Sequence, residues 1–236
     1  MIEPEVDIKE LSKSNPTVRT VDGVEYIHYA DTLIDLTTCG VMMSHTGQAH
    51  AVFMGKIFVG PRPEPHHFQV LSEVAAPTFS AMLSFFSDRL YTWHIHERIY
   101  GALNESEKAF LQSWSRQQRE NRRNPVEIII PANVFQDGTR IGFYSMLMRQ
   151  ALEQGRLFMP DDSRIRAALA QMSEDNLYKD DCRDHSLIAA TGFALEASKS
   201  LWPERMQGQL RGNRMNVRSI RTEGFSGHFI KWNPRR

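Results

Sequence analysis

The chain predicts an α/β fold whose mixed sheet opens as an antiparallel meander and continues as alternating helices and strands. Three observations carry this. Short apolar runs separated by turn residues fill residues 24–74. Apolar residues at helical spacing follow in several later segments. A small-residue stretch, Ser186–Leu195, closes the pattern directly after an acidic cluster.

In chain order, residues 1–23 are polar and acidic, with Pro4, Pro16 and Asp22-Gly23, and read as an extended arm or a short helix. Val24–Tyr29 reads as a short strand. Thr32–Leu36 is a strand, Thr37–Gly40 a break, and Val41–Met43 a continuation; His45-Thr46-Gly47-Gln48 turns into a strand from Ala49 to Val59. Residues 60–65 are a rigid proline loop, and His67–Val74 is the third strand.

Residues 76–101 carry Phe79, Met82, Leu83, Phe86, Leu90 and Trp93 at helical spacing. A second helix starts near Asn104, with Asn104 or Ser106 as N-cap and Glu107 in its first turn. Val126–Pro131 is β-branched and continuous, as a buried strand should be. A helix over 140–154 ends at Gly155, a short strand spans Arg156–Pro160, and a helix covers Asp161–Met172. Residues 174–180 form a loop or lid, and the last helix follows.

The 236 residues suit one large domain with extensions: an arm at 1–23, a domain at 24–202 and a tail at 203–236. The net charge of zero does not announce a nucleic-acid binder, so local patches carry that question. Two cysteines, Cys39 and Cys182, make no disulfide framework and read as small buried hydrophobes. No leader-like or membrane-length apolar run is present, so the expectation is an intracellular, cytoplasmic protein with no membrane partner. His66, His67, His94 and His96 lack the converging four-ligand pattern of structural zinc.

The acidic motif is Lys179-Asp180-Asp181-Cys182-Arg183-Asp184-His185. Asp181 and Asp184 share a face if the segment is helical. Carboxylates that close repel unless a cation lies between them, which suits Mg²⁺ or Mn²⁺. Ala189, Ala190, Ala194 and Ala197 would let the following helix lie close on a sheet.

Together, the acidic pair, the three-residue step and the small-residue helix resemble the last active-site motif of RNase H-like nucleases. The likeness is strongest to the nuclease domain of phage large terminase subunits, with RuvC-type resolvases second, and covers roughly residues 30–200. It implies a metal-dependent endonuclease cutting DNA with two metal ions, in phage genome packaging or recombination, located in an infected host cell. A packaging ATPase or another phage protein is the implied partner. The first carboxylate belongs on the first core strand, where Asp35 ends the triplet Leu33-Ile34-Asp35. The second is usually a Glu ending the fourth strand; Glu127, Glu73 and Asp137 are the substitutes here. Asp181 and Asp184 form the third group, with Asp180 a competitor in register, and His185 a candidate for orienting water or contacting phosphate.

Two basic features suit a phosphate backbone. One is Arg116, Arg119, Arg122 and Arg123. The other is the tail from Pro203, with Arg211, Arg214, Arg218 and Arg221 among eight basic residues against two acidic ones, a local charge of +6. Its Phe225, Phe229 and Trp232 can stack on bases or dock on a protein. No phosphate loop of the ATPase kind is present, so the chain reads as a separate nuclease subunit, an excised domain or a divergent relative. The alternative function is a non-catalytic nucleic-acid-binding or assembly protein on a degenerate RNase H-like fold. A third is an unrelated α/β domain with an accidental acidic motif.

Overall fold

The computed structural model describes residues 9–11, 17–21, 24–29, 32–57, 67–92, 99–121, 126–130, 141–173 and 180–199. Among them are nine strands and five helices. The strands are β1 Lys9–Leu11, β2 Thr17–Val21, β3 Val24–Tyr29, β4 Thr32–Met43, β5 Ala49–Ile57, β6 Phe68–Ala76, β7 Ile99–Ala102, β8 Ile128–Ile129 and β9 Leu157–Phe158. The helices are α1 Phe79–Thr92, α2 Glu105–Glu120, α3 Gly142–Glu153, α4 Arg164–Gln171 and α5 Ser186–Lys199.

All nine strands join one mixed, mostly antiparallel sheet. β4, β5 and β6 form the expected meander, and the turn after β4 puts Gly47 at φ +85°, which favours glycine. β7 then pairs parallel to β4, with Cys39 opposite Ile99 and Met42 opposite Ala102. β8 pairs parallel to β7, and β9 adds parallel to β6.

The side-chain alternation of the central strands divides the core in two. Met42, Val52, Met54 and Val70 face α3, α4 and α5; Val41, Met43, Ala51 and Phe53 face α1 and α2. Helices therefore cover both faces of the sheet.

The packing of α5 sets the site. A Cβ on Gly40 would stand 1.8 Å from the Ala190 carbonyl oxygen and 2.6 Å from the Ala194 nitrogen. Thr38 Oγ1 donates to the Ala194 carbonyl at 2.8 Å. So α5 lies with its backbone almost on β4 and runs antiparallel to it, its start over the C-terminal end of that strand. Tyr144 stacks edge-on against Phe193 at 4.6 Å in the space that Gly192 leaves.

Several sequence expectations change. There is no break at Thr37–Gly40: β4 is continuous, because Gly40 serves helix contact rather than a turn and the two threonines are buried. Ile99–Ala102 does not extend the first helix but is a parallel strand beside β4. Val126–Pro131 is not a strand buried on both faces; the pairing covers Ile128–Ile129, and Glu127 and Ile129 are exposed. Of residues 1–23, read as an arm, Lys9–Leu11 and Thr17–Val21 are strands of the same sheet. The loop at 60–65, the lid at 174–179 and the tail at 203–236 lie outside the described residues.

Candidate functional site

The C-terminal ends of β4 and β7, the β4–β5 turn and the segment entering α5 meet at one end of the sheet. Asp181 and Asp184 do not lie on a helix face; they stand in the turn before α5. Their side chains close that turn reciprocally. Asp184 Oδ2 accepts from the Asp181 N–H at 3.0 Å, and Asp181 Oδ1 accepts from the Asp184 N–H at 3.2 Å and the Arg183 N–H at 2.6 Å. This is the bonding pattern of a capping box, and it gives the three-residue step a structural cause. The same device opens α2. Asn104 Oδ1 accepts from the Glu107 N–H at 2.8 Å, and Glu107 Oε2 accepts from the Asn104 N–H at 2.8 Å.

His45, in the β4–β5 turn, reaches the acidic pair. Its Nε2 lies 3.3 Å from Asp181 Oδ1 and 3.6 Å from Asp184 Oδ1. One ligand atom from each of the three residues falls within 4.8 Å of the others, the only such group of three or more among the described residues. All three side chains are well exposed, at 57%, 39% and 45%. The sequence offered no signal for His45, since its neighbourhood with Asp181 is made only by the fold.

The other proposed ligands are not assembled there. Asp35 occupies the β4 position where two residues oppose one of β5, a bulge between Ile34 and Leu36. With Ala194 over Thr38, 1.5 Å per helical residue and 3.3 Å per strand residue set its backbone roughly 25 Å from Asp184 along the sheet. The expected convergence of Asp35 with Asp181 and Asp184 is therefore corrected. Glu127 precedes β8, level with the start of β7, so it stands at the wrong end of the sheet. Glu73 is buried at 1% and committed elsewhere. It accepts from Ser163 Oγ and, at 3.1 Å, from the Arg164 N–H, with the Arg164 guanidinium alongside. Asp137 lies outside the described residues.

The fourth core strand is β7, not Val126–Ile130, and it ends in Ala102. Beneath the start of α5, the strand ends carry Met42 and Ala102, at 0% and 5% exposure, in an apolar cluster with Cys182 and Ile188. Among the described residues, no carboxylate projects from the ends of β4 and β7 there. The acids that follow along the chain are Glu105, which is paired with Lys108 at 2.6 Å, and then Glu107. Arg183 holds it with both guanidinium arms, Nη1 to Oε1 at 2.9 Å and Nη2 to Oε2 at 2.8 Å. A two-metal arrangement needs carboxylates from strand and helix around both ions. The described residues do not fit it, because the strand positions are apolar and Glu107 is bound by an arginine.

The neighbouring polar groups are structural. His185 Nε2 meets Asp180 Oδ2 at 2.7 Å, which fixes the side chain offered for phosphate contact. His50 Nδ1 lies 2.7 Å from Ser186 Oγ. Burial, with the Arg164 charge adding, brings His50 down to about 4. Cys39 and Cys182 are free and fully buried, and burial pushes both thiols up. His67 stacks on Phe158 at 6.0 Å. Arg116 and Arg119 are exposed on α2, while Arg122, Arg123, Arg211, Arg214, Arg218 and Arg221 lie outside the described residues. Among the described residues, no helix is long and apolar enough to cross a membrane. Comparison with protein-family models and with curated proteins finds no match.

Proposed function

We propose that the chain is a degenerate member of the RNase H-like class that binds DNA without cutting it. Support for the class comes from the strand order β6-β5-β4-β7-β8, a three-stranded meander continued by parallel strands. A small-residue helix lying tightly over the first core strand adds to it. The observation that carries the loss of cutting is the pair Met42 and Ala102 beneath the acidic turn, where such a nuclease needs carboxylates. Support for DNA as the ligand comes from exposed Arg116 and Arg119 and from the local +6 of residues 203–236.

Removing residues 203–236 is expected to weaken DNA binding and to flatten its salt dependence, because fewer counterions are released on contact. Phe225, Phe229 and Trp232 should contribute a part that salt does not touch. Fluorescence anisotropy at two salt concentrations checks this for the full chain and the truncation. Equal affinity and equal slope would mean that the tail is no phosphate contact.

A second reading has one observation in its favour. His45, Asp181 and Asp184 offer converging ligand atoms to a divalent ion, and metal-dependent nicking of DNA is its mark.

A further inference from the structure

We propose that α2 lies in the major groove of duplex DNA, with Gln112, Ser113, Arg116 and Arg119 toward the base edges. The inference rests on the DNA-binding reading above and names the form of DNA and the surface that meets it.

α2 is held by a narrow inner face. Of its sixteen residues, only Trp114, Ser115 and Gln118 are buried. Trp114 joins the apolar cluster of Ile99, Val126 and Ile128, and Ser115 Oγ donates to the Val126 carbonyl at 3.1 Å. The Asn104–Glu107 capping box closes the first turn, and Arg183 grips Glu107 from the segment entering α5. A helix fixed in this way presents its outer side chains at set positions.

The outer face has the chemistry of a base-reading surface. Ala109, Gln112, Arg116 and Arg119 follow one another at three- and four-residue steps and form one stripe, with Ser113 beside it. All five are exposed. Phe110, the exposed aromatic of the helix, turns aside to Phe79 at 6.1 Å. In the major groove a glutamine amide matches adenine and an arginine fork matches guanine.

Charge is sorted along the helix. Near its start Glu105 is paired with Lys108, and Glu107 with Arg183. Near its end, among the described residues, no carboxylate pairs with Arg116 or Arg119. Residues 116–123 hold four arginines against Glu120, a local charge of +3. That charge complements the phosphates lining a groove. The size fits as well. A helix about 10–12 Å across enters a B-form major groove about 12 Å wide. The major groove of duplex RNA is too narrow and deep to be read, and a single strand has no groove.

Fluorescence anisotropy of the full chain tests this on random-sequence duplex DNA, single-stranded DNA and duplex RNA. Arg116→Gln/Arg119→Gln should bind the DNA duplex about tenfold more weakly than the wild type. Its binding to the other two should change by less than about twofold, because α2 has no groove to enter there. A second duplex carries 7-deazaguanine, which lacks the N7 acceptor of the major groove. The wild type should bind it about fivefold more weakly than the ordinary duplex, and the double variant should bind both alike. An unchanged duplex affinity in the double variant, an equal loss on all three nucleic acids, or a wild type indifferent to 7-deazaguanine overturns the proposal. Both arginines are exposed, so melting should not change. If it does, Gln112→Ala/Ser113→Ala carries the test, with a loss of about fivefold expected on duplex DNA alone and no loss overturning the proposal. A wild type that binds no DNA of any form would defeat the DNA-binding reading together with this inference. DNA binding that the double variant keeps in full defeats this inference alone.

Discussion

Gly40→Ala should destabilise the fold by about 3 kcal/mol, at the upper end of what overpacking a core costs. The added methyl would overlap the Ala190 carbonyl oxygen and crowd the Ala194 nitrogen, both backbone atoms of α5. No rotamer can relieve that, so α5 must lift from β4. Lifting breaks the Thr38–Ala194 hydrogen bond and loosens the apolar cluster that includes Met42, Ile188 and Ala189. The control is Gly47→Ala in the β4–β5 turn, where nothing lies within 4 Å and only the left-handed φ of +85° is penalised. That variant should lose about 1 kcal/mol. Urea denaturation of both measures the difference. Equal midpoints would mean that α5 does not seat on Gly40.

The second large effect is a loss of stability between pH 6.5 and 4 that belongs to His50. Burial, then the Arg164 charge, lowers this imidazole from 6.5 to about 4. In that window the unfolded chain takes up a proton that the folded chain refuses. Stability is therefore complete above pH 6.5 and falls as the pH drops toward 4. The slope is at most about 1.4 kcal/mol per pH unit, or roughly 3 kcal/mol across the window. His50→Asn keeps a polar group near Ser186 Oγ and removes the titration. Its stability should be nearly flat through the window. Stability curves at several pH values, with the variant subtracted, isolate the effect from carboxylates that titrate lower. Parallel profiles for wild type and variant would show that His50 titrates freely in the folded chain.

The parts of the fold legible in the sequence are those with a local cause. The Thr46-Gly47 turn, the Asn104–Glu107 capping box and the Gly155 stop, with its φ of +63°, each follow from residues within one turn of chain. The parts that were not legible depend on distant partners. Thr37–Gly40 carries local signals of a break, yet α5, about 150 residues later, makes it the middle of a strand. Ile99–Ala102 is four residues following a helical pattern, and only its pairing to β4 makes it a strand. These two misreadings moved the expected carboxylates. With a break at Thr37, Asp35 sits at a strand end; with β4 continuous, Met42 does. With the fourth strand at 126–130, Glu127 is the nearest acid; with β7 in that place, the strand ends in Ala102. The acidic turn itself was legible as a cluster. Its capping hydrogen bonds, its arginine tie to Glu107 and its neighbour His45 were not, because the last two come from other elements of the fold.

The most direct test of the account is a nicking assay on supercoiled DNA with the purified full chain, in Mn²⁺, in Mg²⁺ and with chelator. The degenerate site predicts that the DNA stays supercoiled in all three, at protein concentrations where anisotropy shows it bound. Nicking that requires Mn²⁺ or Mg²⁺ and disappears in Asp184→Asn, with the fold intact, would contradict it and make the His45–Asp181–Asp184 turn a working metal centre.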